Sequence, residues 1–321
     1  MPGISRTEGM TRVTVTGATG LIGSRLVRAL RERGDEVTVL SRSPERALRA
    51  LGGDVRAVAW DPGAGPAPAE ALANRDAVVH LAGENVAQRW SDDAKRRIHD
   101  SRELGTRHLV EGLRAAEPRP AVLVSSSAVG YYGPHGAEEL PEDTPPGDDY
   151  LARVCVVWER EAQAAEALGL RVVRVRTGVV LDKDGGALGK MLPFFKAGIG
   201  GPVAGGAQLM PWVHADDVVG ILLRAIDDGS WSGPVNATAP APVSNKAFSK
   251  ALGTALHRPA FAPVPAFAIK ALYGDMSEIV TKGQNAVPRR TLQLGYRHAH
   301  PDLDEALRSA LRSDRPRGAS G

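Results

Sequence analysis

Apolar residues recur along this chain with two periods. Short runs read as strands because every second position, or every position, is apolar: Val13-Thr-Val15, Glu36-Val-Thr-Val-Leu40, Val55 to Asp61, Asp76-Ala-Val-Val-His80, Ala121-Val-Leu-Val124 and Arg171 to Thr177. Between them the apolar spacing changes to three and four, as in Leu21, Ile22, Leu26, Val27 and Leu30, and it predicts helices to about Arg33, over Ser91 to Ala115 and over Asp148 to Leu168. A strand–helix alternation of this kind predicts an α/β fold, a Rossmann-type doubly wound parallel sheet with helices on both faces. From Asp182 onward the alternation loosens and glycine becomes frequent. Helices are expected at Leu188–Lys196, after His214 to about Asp228, and at Ser244–Leu256, Pro265–Tyr273 and Leu303–Leu311, with a short strand in Gly233–Pro240. The division this predicts is a stub over 1–10, a nucleotide-binding domain over 11–181 whose sheet is completed by segments near 211–240, a smaller mixed substrate lobe and helical region over 182–311, and a tail over 312–321.

The first strand runs into Gly17-Ala-Thr-Gly20-Leu-Ile-Gly23, which opens the first helix. The three glycines serve different physical ends. Gly17 permits a tight turn, Gly20 lets backbone approach a pyrophosphate, and Gly23 lets helix pack on strand. Amides at the helix N-terminus, with Thr19, Leu21 and Ile22 in the same turn, are then placed to hold phosphates. A glycine pattern alone is weak evidence; this one has the strand before it and the helix after it that dinucleotide binding requires.

The residues after the second strand discriminate between cofactors. An NAD site places a carboxylate there for the ribose hydroxyls, whereas this chain has Ser41-Arg42-Ser43. A guanidinium and two hydroxyls suit a 2′-phosphate, so the position favours NADP(H). Asp61 either accepts from the adenine amino group or opens the Asp61-Pro-Gly turn. Leu81, Ala82 and Gly83 are small or apolar at the exit of the fourth strand, where a cofactor's ribose would pass. His80 within that strand reads as a satisfied core residue. The long helix, capped by Ser91, carries Arg97, Ser101, Arg102 and Thr106 at helical spacing, either lining the cleft or facing solvent. Ser125-Ser126-Ser127 ends the fifth strand, in place to bond a substrate oxygen or merely to terminate the strand.

Composition narrows the partners. The 321 residues are 43% hydrophobic and 24% charged, with a net charge of +3 and no lysine/arginine block, which argues against nucleic acid. No apolar run spans a bilayer, the first nine residues lack the apolar core of a signal peptide, and Cys155 is the single cysteine, so a cytoplasmic protein acting on a small molecule is expected. No metal site is expected.

Together these residues resemble the extended short-chain dehydrogenase/reductases. More narrowly the chain is similar to an atypical branch, epimerase-family proteins labelled nucleoside-diphosphate-sugar epimerases, which end in a short domain of unknown function. The narrower resemblance rests on His80-Leu-Ala-Gly-Glu-Asn85, Arg89-Trp90, Ser101-Arg102, Gly178-Val-Val-Leu181, Gln208, Pro211-Trp-Val-His-Ala-Asp-Asp217, Asn236-Ala-Thr-Ala-Pro240, Gly283-Gln284, Pro288 and Gly295-Tyr296, and it covers about Thr11 to Leu311. It implies NADP(H) held by the glycine turn, Ser41, Arg42, Leu81 and Ala82, with Arg102 and Val179 also in contact, and it implies Ser127 as the catalytic serine. The superfamily's tyrosine and the lysine four residues later are missing. Tyr150 is followed at that spacing by Val154, and the alternative alignment gives Leu151 and Cys155. Two readings follow: hydride transfer, as an oxidoreductase or as an epimerase through a transient ketone, or an inactive NADP(H)-binding sensor or scaffold. The intact cofactor site favours the enzyme. Either reading allows a monomer or a homodimer.

Overall fold

The structure, a computed structural model, describes residues 9–312, so most of the stub and tail expected from the sequence lies outside the described residues. Seven strands form the central sheet: β1 (Arg12–Thr16), β2 (Glu36–Ser41), β3 (Arg56–Ala59), β4 (Ala77–His80), β5 (Val122–Ala128), β6 (Arg171–Thr177) and β7 (Gly233–Ala237). They lie in the order β7-β6-β5-β4-β1-β2-β3 and every neighbouring pair is parallel. This is the doubly wound order with one strand added, and the winding reverses between β1 and β4, where such folds open a ligand crevice.

Both faces of the sheet are buried. On one face Val13, Val15, Val122, Val124, Val173 and Val175 pack against Leu26, Val27 and Leu30 of α1 (Leu21–Glu32) and Val218, Ile221 and Leu222 of a helix at Ala215–Asp227. On the other, Val78, Leu123 and Val172 meet Leu109, Val110 and Leu113 of the helix at Asp92–Ala115 and Ala162 of the helix at Tyr150–Gln163. We call these helices α5, α3 and α4, with α2 at Pro44–Leu51. Removing a Val or Leu side chain of this kind from water contributes about 1.5–3 kcal/mol. Strands covered on both sides explain why the sequence shows apolar runs rather than clean alternation.

Local boundaries differ from the sequence reading where tertiary contacts intervene. β5 runs on through the serines to Ala128 because its neighbour β6 pairs with it to Thr177. The helix expected to reach Leu168 is α-helical only to Gln163; a 3-10 turn follows, closed by Gly169 at φ 85. Val179–Leu181 leaves the main sheet and pairs with Trp212–His214, a close approach that Gly178 permits, since a Cβ there would lie 2.1 Å from the Pro211 carbonyl oxygen. A further core of Leu181, Leu188, Leu192, Phe195, Trp212, Phe248 and Leu307 holds the later segments together. Buried Glu142 ties the C-terminal region to the sheet edge, accepting from the backbone N–H of Asn236 (3.0 Å) and of Arg290 (2.9 Å). Among the described residues no helix is long and apolar enough to cross a membrane.

Candidate cofactor and substrate site

The glycine turn is built as its composition requires. Gly17 sits at φ +66, and a Cβ on it would lie 2.7 Å from the Leu81 carbonyl carbon; a Cβ on Gly23 would lie 2.2 Å from the Gly17 oxygen. Gly20 starts α1 without a side-chain cap, so no protein side chain competes for the first-turn amides there. Thr16 Oγ1 accepts from the N–H of Leu81 and of Ala82, both at 3.2 Å, which fixes the end of β4 against the turn. His80 is fully buried between Thr16 Oγ1 (2.7 Å from Nδ1) and Thr106 Oγ1 (3.1 Å from Nε2). Burial, with the nearby Arg102 charge adding to it, lowers its pKa to about 4, so it is a neutral core residue.

A cavity of about 540 Å³ opens over this turn. Gly17, Thr19, Gly20, Ser41, Arg42, Leu81, Ala82 and Gly83 line it, together with Ser43, Arg46 and Ser101. Sequence reasoning missed Arg46. The signal was present: Ser43-Pro44 opens α2 with proline at N1, which places Arg46 in its first turn, four residues after Arg42. Leu21, Ile22 and Asp61 do not line the cavity, although the Leu21 and Ile22 amides belong to the uncapped first turn of α1. The Leu21 side chain packs against Gly185 and Gly186, and Ile22 packs on the sheet core. Asp61 is exposed and its Oδ1 accepts the Gly63 N–H at 3.0 Å, which engages one carboxylate oxygen in the turn.

A second cavity of about 460 Å³ abuts the first where the Arg102 guanidinium lies against Gly83. Val179 and Arg102 line it, and so do Tyr150, Leu151, Val154 and Cys155 of α4. Arg102 Nη1 donates to the carbonyl oxygens of Glu84 and Ile98, both at 3.1 Å, and the guanidinium stacks on Trp158 at 4.8 Å. Tyr150 donates its hydroxyl to the Lys95 carbonyl oxygen at 2.7 Å, and burial raises its pKa. Cys155 is buried, which pushes its thiol up to about 12 and leaves it a neutral, unreactive group.

Ser127 corrects the reading of it as the catalytic serine. It does not line this cavity; it is buried, and its Oγ donates to Glu159 Oε1 at 2.7 Å. Glu159 is in turn clamped by Arg176 (Nε–Oε1 2.7 Å, Nη2–Oε2 2.9 Å), whose guanidinium also covers the Tyr131 ring at 3.5 Å. A hydroxyl committed to a buried ion pair is not presented to a substrate. The only grouping of metal-ligand side chains found among the described residues is His214, Asp216 and His300. There His214 Nδ1 accepts the Asp216 N–H at 3.1 Å, capping α5, and Arg25 lies 3.6 Å from the Asp216 carboxylate. His214 Nδ1 is thus engaged within the protein, while His214 Nε2 and His300 Nδ1 are buried without a hydrogen-bond partner.

A doubly wound parallel sheet, a glycine turn at its switch point and a cavity over that turn lined by Arg42 and Arg46 define a dinucleotide-binding protein of the short-chain dehydrogenase/reductase class. The chain belongs to the NAD dependent epimerase/dehydratase family, whose model matches residues 13–237. A domain of unknown function (DUF1731) matches residues 264–310, in line with the short C-terminal domain that the resemblance implied. The chain is 41% identical over 314 residues to the epimerase family protein SDR39U1 homolog, chloroplastic, of Arabidopsis thaliana, covering 96% of this chain and 88% of that one. The crystal structure of human epimerase family protein SDR39U1 with NADPH matches with a TM-score of 0.83 at 36% identity, over 93% of this chain and 98% of that one. MoeE5 in complex with UDP-glucuronic acid and NAD matches with a TM-score of 0.74 at 26% identity, over 92% and 96% of the two chains.

Proposed function

We propose that the protein is an NADP(H)-dependent oxidoreductase that transfers hydride to or from a small molecule without the tyrosine–lysine pair of its superfamily. The observation that carries this is the placement of Arg42 and Arg46 together at a glycine-turn cavity that meets a second cavity at Gly83 and Arg102. The residues fit the cofactor. Turn amides suit the pyrophosphate, Ser41, Arg42, Ser43 and Arg46 suit the 2′-phosphate, and Val179 beside Gly178 forms an apolar floor for the nicotinamide. When bound, NADP(H) supplies or accepts the hydride. The chain's own residues hold it in register: Arg102 is locked by two carbonyls and Trp158, and Leu151 and Cys155 present neutral surface where one alignment puts the superfamily tyrosine and lysine. This is a small-molecule protein of the cytoplasm, monomeric or homodimeric. The structural similarity to the NADPH complex of the human relative supports the cofactor assignment.

Calorimetric titration with NADPH, NADP, NADH and NAD tests the reading. NADP(H) should bind more tightly than NAD(H), and Arg42→Ala should weaken NADPH by about 10–150-fold, the value of one charge-assisted contact, while leaving NADH unchanged. Equal affinity for NADPH and NADH in the wild-type protein overturns it. A bound cofactor with no turnover on any carbonyl or alcohol substrate would instead favour the sensor.

A further inference from the structure

The second cavity carries charged groups of both signs, and they cancel in place. Lys95 Nζ lies 2.6 Å from Asp275, and Lys282 Nζ lies 2.9 Å from Glu278. Asp149 is taken as the N-cap of α4, accepting the Ala152 N–H at 2.7 Å. Arg102 is bonded to two carbonyls and stacked on Trp158. The other polar side chains are neutral and partly used. The Gln208 amide donates to the carbonyls of Val203 (3.0 Å) and Val280 (2.9 Å), and the Gln284 amide donates to that of Gly133 (2.7 Å). Each glutamine is left with its Oε1, an acceptor. The rest of the wall is apolar, with Val86, Trp90, Leu151, Val154, Met191 and Ile279 prominent.

A nucleoside-diphosphate sugar carries two phosphate charges, which need cations or aligned amides to replace the water they lose. This cavity has no uncommitted cation to offer beyond the arginine shared with the cofactor side. Seating a diphosphate on Lys95 or Lys282 would have to displace Asp275 or Glu278 from them. A neutral apolar molecule loses nothing and gains by burial against the same wall. The nicotinamide must share these 460 Å³, which limits the co-substrate further.

We infer that the substrate is an uncharged, largely apolar ketone or aldehyde, or the corresponding alcohol in reverse, and not a nucleoside-diphosphate sugar. This rests on the hydride-transfer reading above. In the reducing direction the carbonyl carbon gains a hydride from the reduced nicotinamide dinucleotide, which is oxidised; the C=O π bond opens onto oxygen, and that oxygen takes a proton from water. Sugar-nucleotide chemistry on this fold needs cations free to meet the diphosphate, and here the acidic residues of the C-terminal segment have neutralised them.

The test is calorimetric titration of the protein, with and without saturating NADP, using benzylacetone and UDP-glucose as probes. Benzylacetone is expected to saturate, and UDP-glucose to show no saturation at about 1 mM, the weak limit of specific binding. Met191→Trp, with folding checked by thermal unfolding, should abolish the benzylacetone signal. Asp275→Asn combined with Glu278→Gln frees Lys95 and Lys282, and should improve UDP-glucose binding by about tenfold or more, the value of a charge-assisted contact. Saturable UDP-glucose binding to the wild-type protein overturns the inference, as does benzylacetone binding that Met191→Trp leaves intact or a double variant that gains nothing for UDP-glucose. If NADP fails to bind while benzylacetone binds and Met191→Trp removes it, the cofactor reading falls and the assignment of the cavity to neutral apolar ligands stands.

Discussion

The placement of Ser127 makes a prediction that separates structural from catalytic roles. Its hydroxyl gives one of three short bonds to the Glu159 carboxylate, the others coming from Arg176 Nε and Nη2. The Glu159 and Arg176 side chains are each only 3% exposed, so the pair is held out of water. A hydrogen bond to a charged group is worth about 1.5–3 kcal/mol, and alanine at 127 leaves no orphaned donor, so Ser127→Ala should cost about 1–2 kcal/mol. Glu159→Ala strands the Arg176 charge in the interior, where removal of one partner costs about 3–5 kcal/mol. At roughly 2–4 °C per kcal/mol for a chain of this order of size, the two variants should lose roughly 2–8 °C and 6–20 °C in Tm. Thermal unfolding followed by circular dichroism reads both, and NADPH titration of each variant at a temperature where it is folded reads the site. The reasoning is refuted if Ser127→Ala melts like the wild-type protein yet loses turnover on a substrate that the wild type accepts, because that pattern belongs to a hydroxyl that touches the reaction.

Other parts of the site give further tests. Gly17→Ala forces a side chain into φ +66 and against the Leu81 carbonyl, so it should destabilise by more than about 1–2 kcal/mol and abolish NADPH binding in the same titration; normal binding would show that the turn is not under this constraint. His80 is neutral when folded because its pKa is lowered to about 4, whereas the unfolded chain takes up the proton near 6.5. Its contribution is therefore complete above pH 6.5 and falls as pH drops toward 4, by about 2 kcal/mol at pH 5; urea unfolding at pH 7.5 and 5 should show this slope, and His80→Gln should flatten it. Cys155, buried and with its thiol raised to about 12, should resist an aromatic disulfide reagent in the native protein and react fully after unfolding, and rapid native labelling would contradict its burial.

The features legible in the sequence are those whose causes lie close together in the chain. Gly17, Gly20 and Gly23 act within one strand–turn–helix unit, and their demands are local: Gly17 takes positive φ, Gly20 starts the helix uncapped, and Gly23 lies against the Gly17 carbonyl. Ser41 ends β2 and Arg42 follows it by chain position alone, and both line the cavity over the turn. His80 reads as core because apolar neighbours flank it on its own strand. Arg46 lies within reach of the same local logic, since the Pro44 helix start sets it one turn beyond Arg42.

Tertiary structure decided the rest, because there a side chain's partner comes from a distant segment. Ser127 sits at the expected strand end, but its direction is set by Glu159 from α4 and Arg176 from β6, and no pattern around position 127 announces either. The second cavity is walled by residues from Val86 to Gln284, and its neutrality comes from pairing Lys95 of α3 with Asp275 near the C-terminus, 180 positions away. Composition counts those charges, and only the folded chain cancels them, because Coulomb attraction acts through space and the fold alone sets the distance.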